Sequence, residues 1–252
     1  MKSPVPGILA AALLALLPLG ADGAAPLCAL PPEFAASNQP TPRVAALLRP
    51  GGDLAILALG TASSFGPDGR QPRLGFPARM AAALRKAAPE ARITLTLKGG
   101  RGLTAAAMLP MLRGALRSSK VGLVIWQTGT VEAVRDSPPG NFLAALAEGL
   151  SIVRAAGADL ILVDPQFSRF LRTDTNIDAY ESAFHEVAFE PGVVLFARYE
   201  LTHAWVDAGS FDLERARSSA TPALAAAMQD CIGQALAHFI LSGAEKAGGS
   251  SR

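Results

Sequence analysis

The sequence predicts a three-layer α/β/α sandwich on a parallel sheet of about five strands, an architecture that follows when strands and helices alternate along a chain. Three observations carry this expectation. Short apolar runs recur along the chain, and segments with helical periodicity separate them. No linker or internal repeat divides the 252 residues, and a single α/β domain can reach that size.

The first run is Leu54–Leu59, which ends at Gly60. A run without a polar face reads as a strand covered on both sides, as in a parallel sheet. Similar runs are read at Ile93–Leu97, Val121–Trp126, Asp159–Val163 and Val193–Ala197. Helical periodicity marks Pro77–Ala88, Thr104–Leu116, Asn141–Ala156 and Asn176–Val187, and a last helix over Pro222–Ile240 closes the domain, which spans residues 53–242. Pro31, Pro32, Pro40, Pro42 and Pro50 mark residues 25–52 as an extended lead-in segment. The Gly- and Ser-rich residues 243–252 are expected to fray.

The N-terminus reads as a secretory signal over residues 1–24. Lys2 supplies the positive start, Ile8–Leu19 the apolar stretch and Ala21–Ala25 a small-residue cleavage zone. The apolar stretch falls short of the roughly 20 residues that span a bilayer, and Pro18 closes it. Leu27 before Cys28 argues against a lipoprotein. The mature chain is therefore expected in the periplasm or secreted, with no membrane span. In such a compartment the two cysteines, Cys28 and Cys231, are expected to form a disulfide. The alternative is a pair of buried free thiols.

With 23 basic and 21 acidic side chains, scattered and netting +2, nothing marks a nucleic-acid partner. No cofactor or metal is expected. Gly99–Gly102 lacks the Gly-Lys-Ser/Thr ending of a phosphate-binding P-loop, and it follows the second strand rather than the first. A phosphate or sugar acid at the helix start beyond it, with Arg101 as counter-charge, is a weaker alternative. Asp164, Asp174 and Asp178 lack metal-ligand spacing and read as turn and cap residues.

Ligands of open parallel sheets sit at the carboxyl ends of the strands. Those ends read Gly60-Thr-Ala-Ser-Ser-Phe-Gly66, Lys98-Gly-Gly-Arg-Gly-Leu-Thr104, Trp126-Gln-Thr-Gly-Thr-Val-Glu132 and Asp164-Pro-Gln166. Together with Leu74–Met80, Ala155–Val163 and Asp230–Leu236, they resemble the SGNH/GDSL hydrolases over nearly the whole mature chain. The resemblance implies a flavodoxin-like, SGNH-hydrolase-like fold and an ester-hydrolase ancestry. It also implies a nucleophilic serine where this chain has Ala62, an oxyanion-hole glycine at Gly102, and an oxyanion-hole asparagine where Val131 stands. The late Asp-x-x-His falls on Ala220–Ala223, so the position of the histidine is Ala223.

Three readings follow. The first is a non-catalytic protein that binds a carbohydrate, an acylated ligand or an envelope partner through Ser63, Ser64, Arg101, Gly102, Gly129 and Thr130. The second is an active esterase or carbohydrate deacetylase in which Ser63 or Ser64 works with His203, read in a packing loop after strand five and oriented by Asp207 or Asp212. The third is a structural envelope protein whose cleft has filled in. Loss of several motif residues together favours the first and third, since a serine hydroxyl without a base within reach is a poor nucleophile.

Overall fold

The structure is a computed structural model and describes residues 28–249. The expected signal segment and the last three residues of the tail lie outside the described residues. Five strands, β1 (Asp53–Gly60), β2 (Arg92–Gly99), β3 (Leu123–Gln127), β4 (Asp159–Val163) and β5 (Val193–Phe196), pair in parallel in the order β2-β1-β3-β4-β5. The helices are α1 (Pro32–Ala35), α2 (Pro42–Leu47), α3 (Phe76–Ala87), α4 (Ala105–Ser118), α5 (Thr130–Val134), α6 (Pro139–Ala155), α7 (Arg169–Asp174), α8 (Ile177–Ala188), α9 (Arg198–Asp207) and α10 (Thr221–Gly249).

Two apolar layers sandwich the sheet. On one face Val44, Phe76, Met80, Leu84, Cys231, Leu236 and Ile240 from α2, α3 and α10 meet Leu54, Ile56 and Ile125. On the other face Met108, Leu112, Leu146, Val153, Tyr180 and Phe184 from α4, α6 and α8 meet Leu57, Leu59, Val124 and Trp126. Every residue of β3 is buried, as expected of a central parallel strand. The short helices α5, α7 and α9 stand beyond the carboxyl ends of β3, β4 and β5.

Four expectations need correction. The second strand is not buried on both faces. It lies at the sheet edge, and in Ile-Thr-Leu-Thr-Leu only Ile93 is buried, while the exposed Thr94, Thr96 and Lys98 alternate with the partly buried Leu95 and Leu97. This alternation, not a continuous run, is the signature of a half-covered strand. The lead-in is not extended throughout, because Pro32 and Pro42 open α1 and α2. Proline suits the first helical position, where its missing N–H would have no intrahelical partner. His203 does not sit in a loop but within α9. Finally, residues 243–249 do not fray: α10 continues through them, and Lys246 Nζ donates to the carbonyls of Ser37 and Asn38 at 3.3 and 3.0 Å.

The disulfide expectation holds. Cys28 is bonded to Cys231 with Cα atoms 5.1 Å apart, tying the lead-in to α10. Trp205 Nε1 adds a second tie, donating to the Ala29 carbonyl at 2.5 Å. By length and composition α10 could cross a membrane. Its Met228, Cys231, Ile232, Leu236 and Ile240 are nevertheless buried in the domain, which makes it a core helix.

Candidate functional site

The strand order reverses direction between β1 and β3, and at such a switch point the loops leaving the two strands diverge and open a crevice. A cavity of about 520 Å³ occupies it, lined by Thr61–Ser63, Arg101, Gly102, Thr130, Val131 and Arg198 together with side chains of α5 and of the loop into α7. A smaller cavity of about 320 Å³ shares Ala62, Ser63, Arg101 and Gln166 and continues toward Asp68, Leu213, Ala225 and Met228.

Gln127, the last residue of β3, organises the floor. Its Oε1 accepts from Thr61 N at 2.8 Å, Thr61 Oγ1 at 2.9 Å, Ser64 Oγ at 3.1 Å and Ser63 Oγ at 3.4 Å. These bonds pull the short helical turn Ala62–Phe65 down onto the end of β3. Ser64 comes so close to β1 that a Cβ on Gly60 would lie 2.0 Å from Ser64 Oγ, so only glycine fits there.

Ser64 is fully buried and lines neither cavity, unlike its expected place in the site. Gly129 is likewise not part of the cavity wall. It caps α5 with φ +93° while packed against Phe184 and Pro165, so it serves the turn. Ser63, Arg101, Gly102 and Thr130 line the cavity. Ala223 is exposed on α10, and from that helix Ala225, Met228 and Gln229 face the smaller cavity instead. The helical phase of α10 thus puts the side chains opposite Ala62 two to six residues after the position read from the motif.

The rearranged triad is not assembled. His203 stacks on Phe167 with ring centroids 4.1 Å apart, and its Nε2 lies 3.3 Å from Arg172 Nη1 and 3.6 Å from Asp207 Oδ2. Asp212 forms a two-pronged pair with Arg169 at 2.7 and 2.8 Å, which ties the start of α7 to the loop after α9. The start of α4 is no free anion seat either, because the Glu132 carboxylate accepts from Ala105 N there and from Gly129 N at 3.2 Å.

What the sequence reading missed is Arg198, the first residue of α9. It is fully buried, yet it lines the larger cavity. Its Nε donates to the Asp164 carbonyl at 3.0 Å and its Nη1 to Ser63 Oγ at 3.2 Å, with the guanidinium carbon 5.4 Å from the centre of the Phe76 ring. Two carboxyls share its neighbourhood. Asp164 accepts from Tyr199 N at 2.8 Å, and the Glu181 carboxyl lies near enough for the two to affect each other's titration. Burial pushes Asp164 up to about 7 and, with the neighbouring Asp164 charge, Glu181 up to about 10. Burial lowers Arg198 to about 10, which leaves it charged at neutral pH. The available signal was its place directly after β5, at the carboxyl edge of the sheet.

A parallel sheet in this order, covered by helices on both faces and with a cleft at its switch point, is a doubly wound α/β/α fold of flavodoxin-like order. Over residues 27–246 the chain matches the non-GDSL lipase-like family, and it belongs to that family. Among solved structures it is similar to a two-domain esterase active on acetylated mannans, with a TM-score of 0.61 and 16% identity over 79% of this chain and 52% of that one. It is also similar to an α/β hydrolase from the metagenome of Lake Arreo, Spain, with a TM-score of 0.58 and 17% identity over 79% and 98% of the two chains. For TesA the values are 0.54 and 20%, over 72% and 99%. No curated protein matches the chain.

Proposed function

We propose that the chain is an exported, non-hydrolytic member of its family that holds a carbohydrate or acylated ligand in the cleft at the β1–β3 switch point. The observation that carries this reading is what surrounds the serine next to Ala62. Ser63 Oγ donates to an amide oxygen, Gln127 Oε1, and accepts from a guanidinium, Arg198 Nη1. Neither group can take up the hydroxyl proton. Nucleophilic catalysis by serine needs a base within hydrogen-bond reach, and the family position for the nucleophile itself is an alanine.

The open cleft supports binding over a purely structural role. Its volume lies within the roughly 300–1,000 Å³ typical of small-molecule sites. Export is supported by the Cys28–Cys231 bond, since such bonds persist in oxidising compartments, and by the signal pattern ahead of it. The test is to incubate mature protein with a fluorophosphonate probe and with short-chain aryl esters. No labelling and no turnover are expected. Stoichiometric labelling of Ser63, or turnover lost on Ser63→Ala, would overturn the non-hydrolytic reading.

A further inference from the structure

We propose that the ligand of this cleft is an amphipathic carboxylate, with its anionic head seated among Arg101, Arg135 and Arg198 beside Ser63 and its apolar chain lying along Val134 and Phe170. This rests on the reading of the cleft as a binding site and names the chemistry it selects.

Charge is the first argument. Three arginines and no Asp or Glu line the larger cavity. Among the described residues, none of the three arginines forms an ion pair. Arg101 has only the Asp68 carbonyl, at 3.4 Å. The Arg135 guanidinium sits over Gly102, where an added Cβ would be 3.4 Å from its Nη2. A guanidinium presents a planar fork that matches a carboxylate, and water exclusion strengthens the pair. The internal carboxylate of Glu132 already occupies the α4 N-terminus, so an incoming anion has the arginines and not that helix end to bind.

Unmet hydrogen bonding is the second and independent argument. Nη2 of the fully buried Arg198 has no hydrogen-bond partner, and neither has Nε2 of the fully buried Gln127. Both residues hold Ser63 from beneath, and of the two Arg198 also lines the cavity. A buried guanidinium is costly unless an anion and acceptors compensate it. The nearby carboxyls compensate poorly, because burial favours their protonated forms. An anion arriving on the cleft side would supply the missing charge.

Apolar exposure identifies the rest of the ligand. Among the described residues three large hydrophobic side chains are strongly exposed, and two of them, Val134 (53%) and Phe170 (52%), line this cavity, backed by Val131 and Leu171. An apolar patch beside a basic seat matches a molecule with one charged end and one hydrocarbon end.

Decanoate, methyl decanoate and acetate test the proposal by calorimetric titration of the mature protein at low salt. Decanoate is expected to bind at least about tenfold tighter than either of the others, as charge-assisted hydrogen bonds imply for the head and apolar burial for the chain. The exposed double variant Arg101→Ala/Arg135→Ala is expected to erase the preference for decanoate over its methyl ester while still folding. Lys120→Ala, at the opposite edge of the sheet, should leave it intact. Equal binding of decanoate and methyl decanoate would overturn the carboxylate head yet leave the cleft reading standing. Binding of an acetylated oligosaccharide with none of decanoate would do the same. Decanoate binding that Val134→Ser/Phe170→Ser leaves unchanged would overturn the assignment of the chain.

Discussion

The two walls of the cleft place their polar chemistry at opposite depths. The wall built by the loops after β1 and β3 has Ala62 and Val131 where the resemblance expects a nucleophile and an oxyanion donor, and its Thr61, Ser63 and Ser64 hydroxyls converge on one amide oxygen. The wall built after β4 and β5 buries a carboxyl and a guanidinium, Asp164 and Arg198, with the half-buried Glu181 beside them, behind a surface of Phe167, Phe170 and Leu171. In the first wall, small side chains leave an open and chemically quiet pocket. In the second, ionisable groups are kept from water, where they cost stability unless each is matched. A cleft with no assembled triad has thus retained charged chemistry directly beneath it, and that is what a ligand would meet.

The contrast breaks most visibly at Arg198. Arg198→Met removes the donors to the Asp164 carbonyl and to Ser63, and leaves Asp164 without its neighbouring cation. Removing one partner of a buried charged set typically costs about 3–5 kcal/mol. Urea unfolding at pH 8 should show a loss of that order. At pH 5, where the carboxyls are protonated and no orphaned charge remains, the loss should shrink. An equal loss at both pH values would mean that Arg198 acts by packing alone.

The disulfide lines neither cavity, so breaking it should leave the cleft intact. Cys28→Ala/Cys231→Ala should cost about 2–4 kcal/mol, chiefly by freeing the unfolded chain. Ligand affinity, measured by calorimetry well below the new melting point, should be unchanged. A loss of binding on the scale of the stability loss would tie the lead-in to the site.

The buried carboxyls set a pH profile. Both are raised in the folded protein, so above the ordinary carboxylate range near ~4 the native state holds protons that the unfolded chain has released. Stability should therefore fall as pH rises, through Asp164 toward about 7 and through Glu181 toward about 10. Arg198, Tyr199 and Glu200 face the pair and act on it throughout. Asp53, Asp68 and Asp212 are lowered by their hydrogen-bond partners and act only on the acid side. Glu181→Gln should change stability at pH 7 by less than about 1 kcal/mol, as isosteric replacement of a protonated acid, and should flatten the fall above pH 7. Melting temperatures measured from pH 5 to 9 decide it, and an unaltered slope would remove Glu181 from the pair.

How far these features could be read from the sequence differs between the walls. The five strands and five longest central helices are legible because burial on both faces, or on one helical stripe, leaves a periodic trace. Asp159–Val163 is recovered to the residue. Ala62, Gly102 and Val131 are legible because strand-end motifs fix their places. Ala223 is exposed and lines neither cavity, since a motif offset says nothing of helical phase, and the short helices α1, α2, α5 and α7 carry too few turns for a periodic signal. Arg198 and Glu181 stayed hidden for another reason. Charged residues on helices read as solvated, and only the packing of α9 and α8 against the sheet edge reveals them as buried.

The smallest expected effect tests the quieter wall. Ala62→Ser restores the family nucleophile at a partly exposed position on the cleft, where a single added hydroxyl should shift stability by only about 0.5 kcal/mol. The new hydroxyl would find Arg101, Gln166 and Ser63 around it, and from α10 the side chains Ala225, Met228 and Gln229 across the smaller cavity. Asp68 lines that cavity too, but Arg70 N and Gln71 Nε2 donate to its carboxylate and hold it below the usual carboxylate range, which makes it a poor base; none of the others is a base at neutral pH. His203 is engaged with Phe167, Arg172 and Asp207, and Asp164 and Glu181 line neither cavity. The losses of triad members are strongly non-additive, with a deficit of about 10⁴–10⁶ in rate persisting while any partner is missing. Restoring the serine alone should thus leave the protein inert toward aryl esters and unlabelled by a fluorophosphonate. Labelling of the introduced hydroxyl in the Ala62→Ser variant, with a pH dependence that vanishes on His203→Ala, would show that the imidazole reaches the cleft in solution and that the quiet wall is one substitution away from catalysis.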